Sequence, residues 1–198
     1  MTRITLTGPA SARGASARHQ APELAVSEWF NTPAPITLAS LIGRPIFLHT
    51  FQALCPGCVS DAIPQVKRIE QVFARTDLAI MGLHTVFEHH EAMSPKTLKA
   101  FLLEYRLTSP VGVDQAAAAS DIPVTMQRYH FRGTPSSALI GRDGLVIHQS
   151  FGVEDDVLLG ARIAMALSET IPAKDVQPTT SEELARCTAG LCEARTSG

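Results

Sequence analysis

The run Ile46-Phe47-Leu48-His49-Thr50-Phe51-Gln52-Ala53-Leu54-Cys55-Pro56-Gly57-Cys58 decides the fold. Its first six residues are apolar and β-rich and follow the break Gly43-Arg44-Pro45, which predicts a buried central strand. Past Cys58, the residues Ile63, Val66, Ile69 and Val72/Phe73 recur at the spacing of one apolar helix face. The two cysteines therefore fall between a strand and a helix. A sulfur at the first turn of a helix meets unpaired N–H groups and the positive end of the dipole, and both favour a thiolate. Pro56 suits that turn because it has no N–H to leave unpaired. The spacing keeps the second sulfur within one turn, close enough for a small disulfide. Cys55 reads as the exposed nucleophile and Cys58 as the thiol that resolves a mixed disulfide. The pair is also half of a zinc site, but the next cysteines lie far along the chain, and the strand-then-helix context favours redox chemistry.

Strands and helices alternate onward from this point. Leu78 to His84 predicts a second buried strand. Ser94-Pro95 is an N-cap followed by a first-turn proline, opening a helix whose apolar face is Leu98, Phe101, Leu102 and Tyr105. Val111-Gly112-Val113 is a short strand ending at Asp114, and Pro123 to Tyr129 a brief helix. Ser137 to Ile140 and Leu145 to Ser150 flank the turn Gly141-Arg142-Asp143-Gly144, a hairpin. Asp155 and Asp156 open a last helix with Val157, Leu159, Ile163, Ala166 and Leu167 facing inward. Alternation implies parallel pairing and the late hairpin an antiparallel edge. The expected architecture is α/β, a central mixed sheet flanked by helices on both faces.

Composition narrows the function classes. Lys and Arg number 17 against 19 Asp and Glu, a formal charge of −2, which argues against a general nucleic-acid binder. No apolar run approaches the ~18–20 residues of a membrane span. The first 22 residues hold Arg3, Arg13 and Arg18 and no acid, but no apolar stretch of a secretory signal follows. The expected organisation is a flexible N-terminal segment (1–21), one domain (22–170) and a polar tail (171–198) that carries a second cysteine pair, Cys187 and Cys192, with a short helix starting near Thr180 or Ser181. The expected compartment is the cytoplasm, where close cysteine pairs are more often catalytic or metal-binding than structural.

The chain order, Cys55-Pro56-Gly57-Cys58, Gly133-Thr134-Pro135 and the hairpin after it resemble a thioredoxin-fold protein of the TlpA-like/redoxin group, over roughly Pro22 to Ser168. The group includes thiol–disulfide oxidoreductases and peroxiredoxins. The resemblance implies a thioredoxin-like fold and a cis Pro135 facing the sulfurs. It also implies that Thr134, with Pro135, Pro56 and Gly57, shapes the groove for an extended substrate. Substrates would be protein or small-molecule disulfides, with electrons from another thiol system and no organic cofactor. Three positions depart from the pattern. Leu54 stands where a tryptophan is usual, and Pro64 lies six residues past Cys58, one further than the usual helix proline. His49, six before Cys55, stands where a buried acid is usual. A histidine there would exchange protons with the second cysteine at a pKa nearer neutrality, or else be a core histidine bonded to the backbone.

Other constellations carry weaker signals. His84, Glu88, His89, His90 and Glu91 cluster after the second strand, either as metal ligands or as a solvent-facing loop; the loop reading is preferred and no metal site is assigned. His84 is the member placed to approach the site, while His130 and Arg132, just before Gly133, either shape substrate entry or, in the preferred reading, are surface residues. Cys187 and Cys192 are two free thiols, a structural disulfide or a second redox pair on a tether. Two rival functions remain. In a peroxidase of the peroxiredoxin type, Cys55 would attack peroxide. However, the proline and hydroxyl expected seven and three residues before the cysteine are Leu48 and Gln52, with Thr50 out of register and only Arg128 or Arg132 as helpers. The other rival is a non-catalytic metal- or partner-binding module.

Overall fold

The computed structural model describes residues 18–170. Its strands are β1 (His19–Gln20), β2 (Val26–Phe30), β3 (Ile46–Phe51), β4 (Ala79–His84), β5 (Val111–Asp114), β6 (Ser136–Ile140) and β7 (Leu145–Phe151). Its helices are α1 (Ile63–Phe73), α2 (Pro95–Glu104), α3 (Val124–Arg128) and α4 (Asp156–Ser168). The strands form a single mixed sheet in the order β1-β7-β6-β3-β4-β5-β2. All six residues of β3 are buried, as a central strand requires. It runs parallel to β4 with Phe51 opposite His84, and antiparallel to β6 with His49 opposite Ser137.

Strand alternation sorts the core into two faces. Phe47 packs with Val66 and Ile69 of α1 and with Leu159 and Ile163 of α4. On the same face Phe51 packs with Ile63, Leu98 and Leu102, which brings α2 alongside. On the other face Ile46, Leu48, Met81 and Leu83 lie under Tyr129, the residue that ends α3, and under Leu38. Each such large apolar side chain contributes roughly 1.5–3 kcal/mol when fully buried. Helices cover both faces, as expected.

The helix starts follow local chemistry. Ser94 accepts the Thr97 N–H, and Asp155 accepts those of Val157 and Leu158. The α3 start has no cap of its own. Asp114, at the end of β5, accepts the N–H groups of Thr125 (2.8 Å) and Met126 (3.1 Å) and the Thr85 hydroxyl (2.9 Å). Gly144 has φ +76°, the left-handed conformation that the hairpin turn needs.

The structure corrects several expectations. Val72 and Val157 point outward at 73% and 80% exposure, so the buried stripes are Ile63-Val66-Ile69 and Leu159-Ile163-Ala166. The ordered domain starts ahead of residue 22, because His19 and Gln20 pair with Val146 and Leu145. Edge strand β2, antiparallel to β5, was not foreseen, since Ser27 and Glu28 break its apolar pattern. No described helix is long and apolar enough to cross a membrane. Residues 1–17 and the tail from 171, with Cys187, Cys192 and the helix expected near Thr180, lie outside the described residues.

Candidate active site

β3 delivers the chain to Gln52, whose carbonyl accepts the Cys55 N–H at 3.2 Å and closes a tight turn. Helical turns begin at Pro56, and the Val59 N–H returns to the Cys55 carbonyl at 3.1 Å. From Cys58 to Ala62 the helix widens to a π-turn, with the Ile63 N–H donating to the Cys58 carbonyl, before α1 proper begins. Pro64 accounts for this widening. It has no N–H for the carbonyl four residues back, and its ring crowds that carbonyl. The one-residue shift of the helix proline is absorbed as a π-bulge.

Cys55 is half-buried and Cys58 fully buried, and both are free thiols. The Cys58 N–H points at Cys55 Sγ across 3.3 Å. Cys55 Sγ in turn donates to the Thr134 carbonyl at 3.5 Å. The Thr134–Pro135 bond is cis, as the resemblance implied. The Gly152 N–H, donating to the Pro135 carbonyl at 2.8 Å, pins that loop to the end of β7. Pro135 faces the sulfurs' own turn: a Cβ built on Gly57 would stand 3.8 Å from Pro135 Cδ. Cys55, Pro56, Gly57, Cys58, Thr134 and Pro135 thus form one site. Burial above all, and then the hydrogen bond with Cys55, pushes the Cys58 thiol up to about 12; the Gln52 N–H and the Thr134 hydroxyl pull it back. Leu54, next to Cys55, and Phe151, opposite Ser136 at the end of the cis-proline loop, are apolar and exposed, at 53% and 56%. The Arg132 guanidinium stacks 5.3 Å over Phe151.

His49 departs from the pKa expected near neutrality and from the alternative of a histidine bonded to the backbone. It stacks between Phe47 and Phe51 on the α1 face, with ring centroids 6.4 and 5.7 Å away. Its buried Nε2 has no hydrogen-bond partner among the described residues, so it is not a core histidine tied there to the backbone. Burial pushes its pKa down to about 4, not toward neutrality. Gly82 makes the space: a Cβ there would lie 3.0 Å from His49 Cε1 and Nε2. His49 shares the sheet face of Cys58, but no hydrogen bond joins the two among the described residues.

The histidine cluster does not converge. His84 turns inward, accepts the Ala53 N–H on Nε2 at 3.4 Å, and is held at about 4 by burial. His89, His90 and Glu91 are exposed, and among the described residues no three His, Cys, Asp or Glu side chains come together as metal ligands. Two candidate helpers for peroxide are engaged elsewhere. The Thr50 hydroxyl is bonded to the Ser136 backbone, and Arg128 donates to the Glu23 carbonyl at 2.7 Å.

Sequence reasoning missed Gln52 as a site residue. Its side chain, only 1% exposed, donates to Thr134 Oγ1 and Glu88 Oε1, both at 3.4 Å, and accepts the Phe87 N–H at 3.2 Å. The available signal was an amide side chain placed directly after six buried strand residues.

No protein-family model matches the chain, and no curated protein matches it. Among solved structures the chain is similar to a thioredoxin-like superfamily protein, with 49% identity and a TM-score of 0.75 over 77% of this chain and 99% of that one. It is similar to a thiol-disulfide isomerase from Corynebacterium glutamicum, with 39% identity and a TM-score of 0.71 over 76% and 98% of the two chains. A thioredoxin-like protein in the oxidized form shares the fold at 24% identity and a TM-score of 0.64, over 78% of this chain and 98% of that one. The chain belongs to the thioredoxin-like superfamily.

Proposed function

We propose that the protein is a thiol–disulfide oxidoreductase working through Cys55 and Cys58. One observation carries this reading: a half-exposed sulfur accepts the backbone N–H of Cys58 and lies against the Thr134 carbonyl that precedes the cis proline, while the Cys58 sulfur is buried. As a thiolate, Cys55 attacks one sulfur of a substrate disulfide, forms a mixed disulfide and releases the other substrate sulfur as a thiolate. Cys58, once deprotonated, attacks Cys55 Sγ, and the remaining substrate sulfur departs and takes up a proton. An external thiol returns the Cys55–Cys58 disulfide to the dithiol. The similarity to a thiol-disulfide isomerase supports the reading.

The groove is formed by Thr134 and Pro135 on one side and Pro56 and Gly57 on the other. Its apolar rim at Leu54 and Phe151 suits protein or small-molecule disulfides with apolar flanks. His49, a neutral imidazole that stacks on Phe51 on the sheet face Cys58 shares, is the residue proposed to exchange a proton with Cys58 during resolution. The proposed compartment is the cytosol, where a glutathione or thioredoxin pool would keep the pair reduced. No organic cofactor is invoked.

The test is reduction of insulin disulfides by dithiothreitol, with peroxide consumption measured in parallel. Turnover of insulin that Cys55→Ser abolishes supports the reading. Rapid peroxide consumption with no insulin reduction would replace it with a sulfenic-acid peroxidase.

A further inference from the structure

The cis-proline loop carries an aromatic plate with a cation seated on it. Phe151 ends β7 directly opposite Ser136, the residue after the cis proline. Its ring turns back over the loop: a Cβ built on Gly133 would stand 3.0 Å from Phe151 Cε2 and 3.4 Å from Cζ. Only a glycine at 133 leaves the ring that seat. The loop beneath is fixed, because the Ser136 hydroxyl donates to the Gly133 carbonyl at 2.7 Å and the Gly152 N–H to the Pro135 carbonyl at 2.8 Å. The Arg132 guanidinium lies 5.3 Å above the ring centroid. Stacking engages the flat face of a guanidinium and leaves its edge N–H groups free for a carboxylate. Arg132 is exposed, and no ion pair among the described residues includes it. Glu88, the acid bonded nearest the loop, is held by Gln52.

We propose that Arg132, seated on Phe151, is a specificity-determining residue that favours disulfides carrying a carboxylate close to the attacked cysteine. The inference rests on Cys55 being the attacking thiol and names the class of disulfide it takes best. Proximity supports it. Gly133, under the ring, is joined to Thr134, whose carbonyl lies 3.5 Å from Cys55 Sγ. An extended substrate advances about 3.3 Å per residue, so the plate lies within about three residues of the cysteine under attack. The charge is suited to the task, since a planar guanidinium takes a carboxylate through two parallel N–H bonds. Seating on the ring limits the motion of a long side chain, so less freedom is lost when the carboxylate arrives.

The test uses the full-length chain with Cys187→Ser and Cys192→Ser, in which Cys55 and Cys58 are the only thiols. The reduced protein is mixed with disulfide-linked dimers of a short capped peptide whose cysteine is flanked on both sides by glutamate, glutamine or lysine. Two electrons from the Cys55–Cys58 dithiol reduce one peptide disulfide to two peptide thiols, which are counted by chromatography after acid quenching. Each rate is divided by that of the same peptide with 2-mercaptoethanol, an uncharged thiol, which removes differences in the intrinsic reactivity of the disulfides. The glutamate peptide is expected to react about three- to fivefold faster than the glutamine peptide, and the lysine peptide slowest. The ratio falls toward one in about 0.5 M salt. Arg132→Gln brings it to about one at low salt, Arg132→Glu makes the lysine peptide the fastest, and Phe151→Leu about halves it. A merely structural part for Arg132 would slow all three peptides alike. That outcome, no preference for glutamate in the parent chain, or a preference that Arg132→Gln leaves intact overturns the proposal. If the parent chain reduces the glutamine peptide no faster than its Cys55→Ser variant, the oxidoreductase reading falls, and the proposal with it.

Discussion

The backbone N–H of Cys58 serves the sulfur of Cys55, at 3.3 Å, while the Cys58 sulfur itself is sealed from solvent. The two thiols of one short motif thus have opposite environments. Helix geometry produces the asymmetry: the residue that opens the first turn faces the backbone amides, and the residue three later points under the helix into the Phe51 cluster. A buried thiol held at about 12 is protonated at neutral pH.

Iodoacetamide at neutral pH should therefore alkylate Cys55 well before Cys58, with Cys58 reacting only after denaturation. Peptide mass mapping after limited labelling separates the two, and separates them from Cys187 and Cys192. Equal labelling of Cys55 and Cys58 in the folded protein would contradict the assignment of roles.

Acid should destabilise the fold earlier than carboxylate titration alone requires. His49 and His84 are held at about 4 in the folded protein against an ordinary 6.5. Between those values the unfolded chain binds the protons and the folded chain does not. Stability is thus intact above 6.5 and is lost as pH falls toward 4, by roughly 3 kcal/mol for each histidine. Asp114, raised by burial, contributes with the opposite sign, and the histidine slope is read between pH 6.5 and 5. Urea denaturation across that range should show a slope that His49→Leu about halves. The same slope in both proteins would show that His49 is not the buried neutral group described.

The parts of this molecule legible in its sequence are those fixed by short-range pattern. The run Ile46 to Phe51 reads as a central strand, Ser94-Pro95 as a helix start, and Gly141 to Gly144 as a hairpin turn, and each stands where the pattern places it. Thr134-Pro135 was legible only through resemblance. What was hidden depends on distant partners. Gln52 looked like a missing hydroxyl until Phe87, Glu88 and Thr134 were brought around it, and Asp114 looked like a strand end until it capped a helix eleven residues on. The sequence position of His49 suggests a pKa near neutrality, whereas burial holds it at about 4. Burial between two phenyl rings is a tertiary fact that no local pattern encodes.

Asp114 provides a test of the scaffold separate from the chemistry. Replacing it by alanine leaves the N–H groups of Thr125 and Met126 and the hydroxyl of Thr85 without their acceptor in a buried setting. The expected loss is about 2–4 kcal/mol, from more than one buried donor left unsatisfied. Chemical denaturation measures it. A loss below about 0.5 kcal/mol, the range of surface substitutions, would mean that α3 does not depend on this distant cap.

The second cysteine pair can be tested as a redox partner of the first. Cys187 lies 17 residues beyond Thr170, a length that spans at most ~60 Å when fully extended, whereas α4 is only about 20 Å long. Reach is therefore no obstacle, and tethering makes the encounter intramolecular. In Cys58→Ser the resolving thiol is gone. Attack of Cys55 on a Cys187–Cys192 disulfide then stops at a mixed disulfide, with one tail thiol released and no external oxidant consumed. Non-reducing digestion and mass spectrometry should find Cys55 joined to Cys187 or Cys192 at a yield independent of dilution. A yield that falls on dilution would make the exchange intermolecular, and no such adduct would leave the tail cysteines without a part in the chemistry of Cys55.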